Sequence, residues 1–407
     1  MREFHQTTLA NGLRIIQEPC PTGVVYCGLI VGAGTRDEDE ADSGLAHFCE
    51  HTTFKGTVRR RACHIRNGLE RVGGDLNAYT NKEETAYYAT VQQEDFARAV
   101  DLLCDIVFHS TYPQHELDKE KEVIIDEIDS YRDSPAELIY DEFESMLFRG
   151  HALGRDILGQ ADRLRQYTTD DARRFTGKYY VTGNVTFYVL GNVPFSRVVK
   201  LVEKATADVP AASACHAPQP LPDYVPEVRT AHHDTHQAHV VMGNRCYGRM
   251  DPRRQALFLL SNLLGGPGMN SLLNVSLREK HGLVYTVDCS SFHYSDSGVW
   301  SVYFGCDEDD VERCRSLVLR QLDQLREEPL STARLNAAKK QTVGQLLLNC
   351  DHFGSYAIAM GKAFARYGEH RDVDDTIRKI RALTAEDLME VARDIFREDR
   401  LTTLIYK

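Results

Sequence analysis

The sequence predicts an α+β fold of two homologous domains produced by internal duplication, each an antiparallel sheet with helices packed on one face. The first observation behind this prediction is a linker. Residues 209–226 combine prolines and small residues without an apolar period, and they divide the 407-residue chain almost in half. We therefore predict a first domain over 1–208 and a second over 227–407.

The ends of the two halves supply the second observation. Thr168-Thr169-Asp170-Asp171 precedes a helical pattern and then an apolar strand at 184–190. Thr384-Ala385-Glu386-Asp387 precedes the same pattern and a strand at 401–406, an offset of about 216 residues. As a third observation, each half begins with strand patterns and continues with long helical ones, which is typical of an α+β arrangement.

In the first half the predicted strands cover 13–17, 24–31 and 85–91, where β-branched and aromatic residues are frequent. A helix is predicted between the second and third strands. Asp42 and Ser43 are its candidate N-caps, and Gly56 marks its end. Its apolar stripe predicts a buried face, formed by Leu45, Phe48, Cys49 and Thr52.

The opposite face of this helix carries a pattern that indicates metal chemistry. His47 and His51 are four residues apart, so both imidazoles can reach one ion, and Glu50 lies beside them. Zn²⁺ held by imidazole and carboxylate, with one position open, lowers the pKa of its bound water to about 7, and a neighbouring Glu can take the proton. H-x-x-E-H therefore predicts a catalytic zinc site. The other interpretation is an ordinary solvated helix face.

A third metal ligand is expected from a second helix, because a zinc site with two histidines usually adds a carboxylate. The predicted helix at 114–132 is rich in acidic residues, any of which could simply face solvent. Glu120 and Glu127 are two turns apart and share one face of this helix. One of the two could bind the metal while the other holds it in place.

Composition limits the classes of function. With 42% hydrophobic and 27% charged residues the chain has the balance of a globular protein, and its net charge of -12 argues against binding to nucleic acid or to an anionic membrane surface. The start has no apolar signal core, and no stretch reaches eighteen apolar residues. None of the 11 cysteines forms a C-x-x-C pair, so we expect neither a disulfide framework nor a cysteine zinc site, and we expect a cytoplasmic, bacterial-type location.

Taken together, Gly44 to Gly56, Gly73-Gly74-Asp75-Leu76-Asn77-Ala78-Tyr79-Thr80, and the Glu120 and Glu127 pair resemble the pitrilysin/insulinase-type (inverzincin) zinc metallopeptidases. The likeness runs essentially from end to end, and the length is similar to that of the short, processing-peptidase-like branch. The resemblance implies that Glu127 is the third ligand and that Glu120 supports the site. Because the corresponding helices of the second half carry no such ligands, we expect one Zn²⁺ per chain.

The same resemblance implies roles for two further segments. Asn77 and Ala78 match the family's substrate-binding strand, so we expect an edge strand that pairs with peptide backbones; an ordinary sheet strand is the alternative. Arg278 and Tyr285 match an Arg and Tyr that reach the substrate carbonyl and stabilise the oxyanion, although taken alone this segment could be scaffold.

The second half has no such ligands. Its helix corresponding to the motif helix, 251–264, carries none, and Ala338 and Gln345 stand where Glu120 and Glu127 stand in the first half. We therefore predict an inactive copy that binds substrate and closes a chamber. The tract 232–236 holds three histidines but lacks a carboxylate at helical spacing, so we do not assign a metal to it.

A chain of this length would form half of the family's chamber, which predicts a dimer. A homodimer is favoured over a heterodimer with a related subunit, because one chain carries both the metal motif and the Arg278 and Tyr285 pair. The family's architecture implies that this pair acts on the partner's zinc. The loop Gly265 to Gly268 is either a mobile gate or a plain turn.

The predicted function is therefore that of a zinc-dependent endopeptidase that cleaves unfolded or flexible peptides, with Glu50 as the general base. The alternative is a non-catalytic peptide-binding or structural subunit of a processing-peptidase-like complex. His47, Glu50, His51 and Glu127 are all present, which favours the enzyme.

Overall fold

The computed structural model describes residues 3–217, 219–233, 235–370 and 372–407. Pro218 of the predicted linker and Asp234 of the histidine-rich tract lie outside these ranges. The strands within them are β1 (His5–Thr8), β2 (Arg14–Glu18), β3 (Val24–Val31), β4 (Asp75–Thr80), β5 (Thr85–Gln92), β6 (Val185–Leu190), β7 (Val228–Ala231), β8 (Ala238–Cys246), β9 (Val284–His293), β10 (Gly298–Cys306) and β11 (Thr402–Tyr406).

The helices occur mostly in runs between groups of strands along the chain. In the part of the chain that is described they are α1 (Leu45–Thr53), α2 (Ala62–Glu70), α3 (Phe96–His109), α4 (Gln114–Arg132), α5 (Pro135–Leu147), α6 (Ala161–Leu164), α7 (Thr169–Tyr179), α8 (Phe195–Ala205), α9 (Arg254–Gly265), α10 (Val311–Glu327), α11 (Thr332–Asn349), α12 (Phe353–Tyr367), α13 (Val373–Ala382) and α14 (Ala385–Ile395). The predicted strands of the first half and the predicted helix at 114–132 are confirmed to within one residue at each end, and the motif helix is α1.

These elements form two compact units, each with its own sheet. Unit 1 comprises Met1–Asp129, Arg155–Pro220 and Leu348–Asp372, and unit 2 comprises Ser130–Gly154, Leu221–Leu347 and Val373–Lys407. The strand order is β1-β2-β6-β3-β5-β4 in unit 1 and β7-β11-β8-β10-β9 in unit 2. Apart from β1 the two orders are equivalent, which confirms the duplicated α+β fold. Thr168 and Thr384 cap the equivalent helices α7 and α14.

Two details differ from the predicted architecture. Each sheet is mixed, because β2 pairs with β6, and β11 with β7, in parallel. Each sheet also has a helix on its second face: α12 packs on β3 and β6 in unit 1, and α5 packs on β8 and β11 in unit 2. These two helices hold equivalent places in the two sequence halves, yet each belongs to the unit built mainly from the other half. Apolar periodicity marks a buried helix face but does not say which sheet will cover it.

A glycine allows α12 to approach its sheet closely. A Cβ atom at Gly361 would lie 2.4 Å from the ring of Tyr188, which is far inside van der Waals contact. Ala357, Met360 and Phe364 of the same helix are buried in a cluster with Tyr188. The second face of the unit 1 sheet is therefore also apolar, as expected for a sheet that is covered on both sides.

Glu84 joins α12 to the sheet of unit 1 by charge. Its side chain is buried and accepts hydrogen bonds from Lys362 Nζ at 2.8 Å and from Arg366 Nε at 3.0 Å. Burial opposes ionisation, but the two cations outweigh it and lower the pKa of Glu84 to about 2. The ionised carboxylate is thus more stable in the folded chain than in the unfolded chain.

We expect Glu84→Gln to lower the free energy of unfolding by about 3 kcal/mol at pH 7. This is the free energy that corresponds to a pKa lowered from 4.5 to about 2. Because the folded-state pKa is the lower one, this stability is complete above the unfolded pKa of about 4.5 and is lost as the pH falls towards 2. Denaturant unfolding at pH 7 and pH 3 measures the effect, with the exposed Glu94→Gln as control. An equal loss of stability at both pH values would contradict the assignment.

Among the described residues, no helix has both the length and the apolar composition needed to cross a bilayer.

Candidate metal centre

Helix α1 is held in place by its apolar face and by a glycine at its start. Leu45, Phe48, Cys49 and Thr52 are buried, as predicted. The N-cap prediction is wrong: the cap is Gly44, not Asp42 or Ser43. Gly44 has a φ of 85°, and a Cβ there would lie 2.7 Å from the carbonyl oxygen of Leu158, so both its conformation and its surroundings require glycine.

The carboxylate of Glu38 accepts hydrogen bonds from the start of α1, the role that was predicted for an N-cap side chain. Glu38 is buried and accepts hydrogen bonds from the backbone N–H groups of Gly44, at 3.0 Å, and Ala46, at 2.7 Å. Burial raises the pKa of Glu38 to about 8, while the two backbone donors favour its ionised form. Since these bonds fix the first turn of α1, they also fix the residues that follow it, His47 to His51.

The predicted metal ligands converge. His47, His51 and Glu127 each direct one ligand atom into a group whose members lie within 4.8 Å of one another. Glu127 Oε2 is 3.4 Å from His51 Nε2 and 3.9 Å from His47 Nε2. Tetrahedral ligands held about 2.0–2.1 Å from Zn²⁺ are roughly 3.3 Å from each other. The donor types and spacings therefore fit a zinc ion with small adjustments.

Glu120 lies behind this cluster. Its Oε1 is 3.0 Å from His51 Nδ1, and its other oxygen forms an ion pair with Lys55. Glu120 is thus placed to orient the His51 ring with Nε2 towards the metal position. This arrangement of carboxylate, histidine and metal recurs in zinc sites, where it raises the basicity of the ligand.

The two histidines differ in protonation. Burial lowers the pKa of His47 to about 4, with the neighbouring His51 adding to the effect, so His47 is neutral at pH 7. Burial would also lower the pKa of His51, but hydrogen bonds to Glu120 and Glu127 outweigh it and raise this pKa to about 9. In the metal-free chain His51 is therefore the protonated member of the pair, and a metal that binds at neutral pH displaces that proton.

Glu50 lies beside the cluster and faces the edge of the sheet. Thr80 Oγ1 donates a hydrogen bond to Glu50 Oε2 at 2.8 Å, and both side chains are buried. Burial raises the pKa of Glu50, which the positive His51 and the Thr80 hydrogen bond partly offset. A carboxylate with a raised pKa is a better proton acceptor near neutral pH than an exposed one.

Asn77 and Ala78 lie on β4, which is an edge strand of the unit 1 sheet, as predicted. The backbone N–H of Ala78 donates to Asn77 Oδ1 at 2.9 Å in an exposed setting. Residues of a strand alternate between faces, so Leu76, Ala78 and Thr80 share one face, and Leu76 and Ala78 pack on the core that includes α1. This face of β4 therefore packs beside α1, the helix that carries His47, Glu50 and His51.

Arg278 and Tyr285 lie in unit 2 and not in the unit that carries the metal cluster. Arg278 is on a π-helical turn, Asn274–Glu279, and Tyr285 is near the start of β9. The guanidinium carbon is 5.6 Å from the centroid of the tyrosine ring, and Tyr285 is 78% exposed.

The predicted loop at 265–268 is followed by Asn270, whose amide forms two hydrogen bonds with the Gln341 amide on α11.

The sequence did not identify Glu38, Lys55 or Thr80 as parts of the site. Lys55 lies just after α1, and Thr80 is the last residue of β4; both elements were already assigned to the site. Strand alternation would have put Thr80 on the face of Ala78. Glu38 gave no such signal, because it reaches its backbone partners from six and eight residues away.

Two imidazoles and a carboxylate around one point, with a second carboxylate beside them, are the donor set of hydrolytic metal sites of the metallopeptidase class. The family model described as "Insulinase (Peptidase family M16)" matches residues 14–161, and the one described as "Peptidase M16 inactive domain" matches residues 166–342. The chain therefore belongs to the insulinase family, peptidase family M16.

Similar proteins extend over nearly the whole chain. An uncharacterized zinc protease of Streptomyces coelicolor is 35% identical, with 96% of this chain and 86% of that protein covered. The uncharacterized zinc protease YmxG of Bacillus subtilis is 34% identical, with 98% and 97% covered. A crystal structure of a protease from Helicobacter pylori has the same fold, with a TM-score of 0.93, 23% identity and complete coverage of both chains.

Proposed function

We propose that this M16 peptidase is a zinc endopeptidase that cleaves unfolded or flexible peptides, with Glu50 as its general base. The convergence of His47, His51 and Glu127 within 4.8 Å, on two helices of one unit, is the observation that supports this proposal most strongly. These three side chains would hold one Zn²⁺ per chain. A zinc ion held there would polarise the scissile carbonyl and activate the attacking water.

Glu50 carries the proton in this mechanism. One carboxylate oxygen is held by Thr80, which leaves the other available to the attacking water. Glu50 would take a proton from that water and then give it to the departing amine, acting first as base and then as acid. Its burial supports both steps, because the raised pKa brings it closer to the pH at which it works.

The edge strand β4 would hold the substrate. An extended peptide can add to such an edge through backbone hydrogen bonds, and these bonds are largely independent of its side chains. The backbone N–H of Ala78 donates to Asn77 Oδ1 in this structure. In the complex it would donate to a substrate carbonyl instead. Only a segment that can become extended fits this mode of binding, so we propose flexible peptides as the substrate class.

A fluorogenic unstructured peptide tests the enzymatic function. We expect hydrolysis that a zinc chelator stops and that added Zn²⁺ restores, together with little cleavage of a folded protein that contains the same segment. A chain that binds the peptide but does not cleave it, with zinc supplied, would instead favour the non-catalytic peptide-binding subunit.

We further propose a homodimeric chamber in which Arg278 and Tyr285 of a second copy donate hydrogen bonds to the substrate oxyanion. The exposure of Tyr285 and its position beside Arg278 support such an intermolecular role. Removing one oxyanion donor costs about 2.7–4 kcal/mol in other enzymes.

Mixing two inactive proteins tests this sharing of residues. Glu50→Gln and Arg278→Ala protein are each expected to be strongly impaired alone, and subunit exchange should restore part of the activity, because a mixed dimer contains one intact site. Size-exclusion chromatography with light scattering gives the oligomeric state in parallel. Failure to recover any activity from exchanged dimers would argue against the shared site.

A further inference from the structure

We propose that Thr80 is a positioning residue that fixes the Glu50 carboxylate and couples it to the substrate-binding strand. This inference rests on the proposed role of Glu50 as general base. It adds a residue to the site, together with a mechanical link between the edge strand and the reacting carboxylate.

The contacts of Glu50 support this role. Thr80 Oγ1 donates to Glu50 Oε2 at 2.8 Å, and within the described ranges no other side chain hydrogen-bonds to this carboxylate. A glutamate has three rotatable side-chain bonds, so a single anchor removes much of its freedom. With Oε2 held, Oε1 remains the oxygen that can accept the proton. Loss of the anchor would leave a buried carboxylate free to turn away from the reacting water.

The position of Thr80 on β4 provides the coupling. Thr80 is the last residue of the strand, two residues after Ala78, so both side chains point to the same face. That face packs on the core beside α1, the helix that carries Glu50. A peptide that pairs with β4 would therefore be held by the same strand that holds the base, and its carbonyl and the base would keep a constant separation.

The neighbouring strand offers a matched control. Thr85 is the cross-strand partner of Thr80, and its side chain is also buried. Thr85 Oγ1 donates at 3.0 Å to the backbone carbonyl of Ala33 and not to Glu50. Replacing either threonine by valine removes a buried hydroxyl group from the same hairpin with little change in shape. Only the change at Thr80 releases the base.

We expect Thr80→Val to lower kcat for peptide hydrolysis by about 10- to 100-fold, as for other small displacements of reacting groups. KM and zinc content should stay near their wild-type values, because neither the β4 backbone nor the ligands change. Thr80→Ser, which keeps the hydroxyl, should restore most of kcat, and Thr85→Val should stay near wild type. If Thr80→Val does not fold, Thr80→Ala tests the same loss of the donor.

A wild-type kcat for Thr80→Val, a Thr80→Ser protein as slow as Thr80→Val, or an equal loss in Thr85→Val would overturn the inference. Glu50→Gln separates this failure from failure of the proposed function. If Glu50→Gln is inactive while Thr80→Val is normal, only the role of Thr80 is wrong. If Glu50→Gln has a wild-type kcat, the general base itself is wrong. In the double variant, Thr80→Val should add little to the effect of Glu50→Gln, because both act through one carboxylate.

Discussion

Replacing Glu50 by Gln is expected to lower kcat for peptide hydrolysis by about 100- to 10,000-fold while the chain keeps its zinc. General acid–base catalysis contributes a factor of this size, and an amide of the same shape cannot accept the proton. Zinc should remain because the three proposed ligand side chains, His47, His51 and Glu127, are unchanged. Steady-state kinetics and metal analysis of the same preparation measure the two quantities.

A matched variant on α4 controls for nonspecific damage to the protein. Glu122 lies on α4 and is exposed, so Glu122→Gln removes the same charge from the surface without touching the cluster. Its kcat should match that of the wild type. If Glu50→Gln and Glu122→Gln lost activity equally, or if Glu50→Gln lost its zinc, Glu50 would not be the general base.

Replacing Glu127 by Gln is expected to have the largest effect on the metal. The change removes the proposed anionic ligand, which is also one of the two carboxylates that face His51. Loss of a partner of a ligand typically weakens metal binding by about 10- to 100-fold, and loss of a ligand should weaken it more. Glu120→Gln should therefore show the smaller of the two effects, and Glu122→Gln none.

Competition with a chromogenic chelator gives zinc affinity for the three variants on α4. The expected order of affinity loss is Glu127→Gln, then Glu120→Gln, then Glu122→Gln. If Glu120→Gln lost more zinc affinity than Glu127→Gln, Glu120 would be the ligand and Glu127 the supporting residue. Equal affinity in all three would place the metal elsewhere.

Local sequence patterns predicted most of the residues that come together in the candidate metal centre. His47, Glu50 and His51 repeat at helical spacing, and Glu120 and Glu127 are two turns apart, so each group shares a face before any tertiary contact is known. The likeness to a known family then assigned Glu127 as the expected third ligand and Glu120 as its support. The structure brings all five side chains together in one unit.

The parts that sequence patterns missed depend on contacts between distant segments. Glu38 caps α1 from outside the usual capping positions, and Gly44 is needed because residues 158 and 159 pass close to it. The exchange of α5 and α12 between the units is of the same kind: amphipathic periodicity fixes the buried face of each helix but carries no information on which sheet it covers. The parallel pairing of β2 with β6 was missed for the same reason.

Titration of the metal-free chain with Zn²⁺, followed by the rate of peptide hydrolysis, is the most direct test that the cluster of His47, His51 and Glu127 is a catalytic centre. We expect the rate to rise in proportion to added zinc and to level off at one equivalent per chain, with no rise in Glu127→Gln protein at the same concentrations. Absence of hydrolysis at every ratio, or the same rise in Glu127→Gln protein, would contradict it.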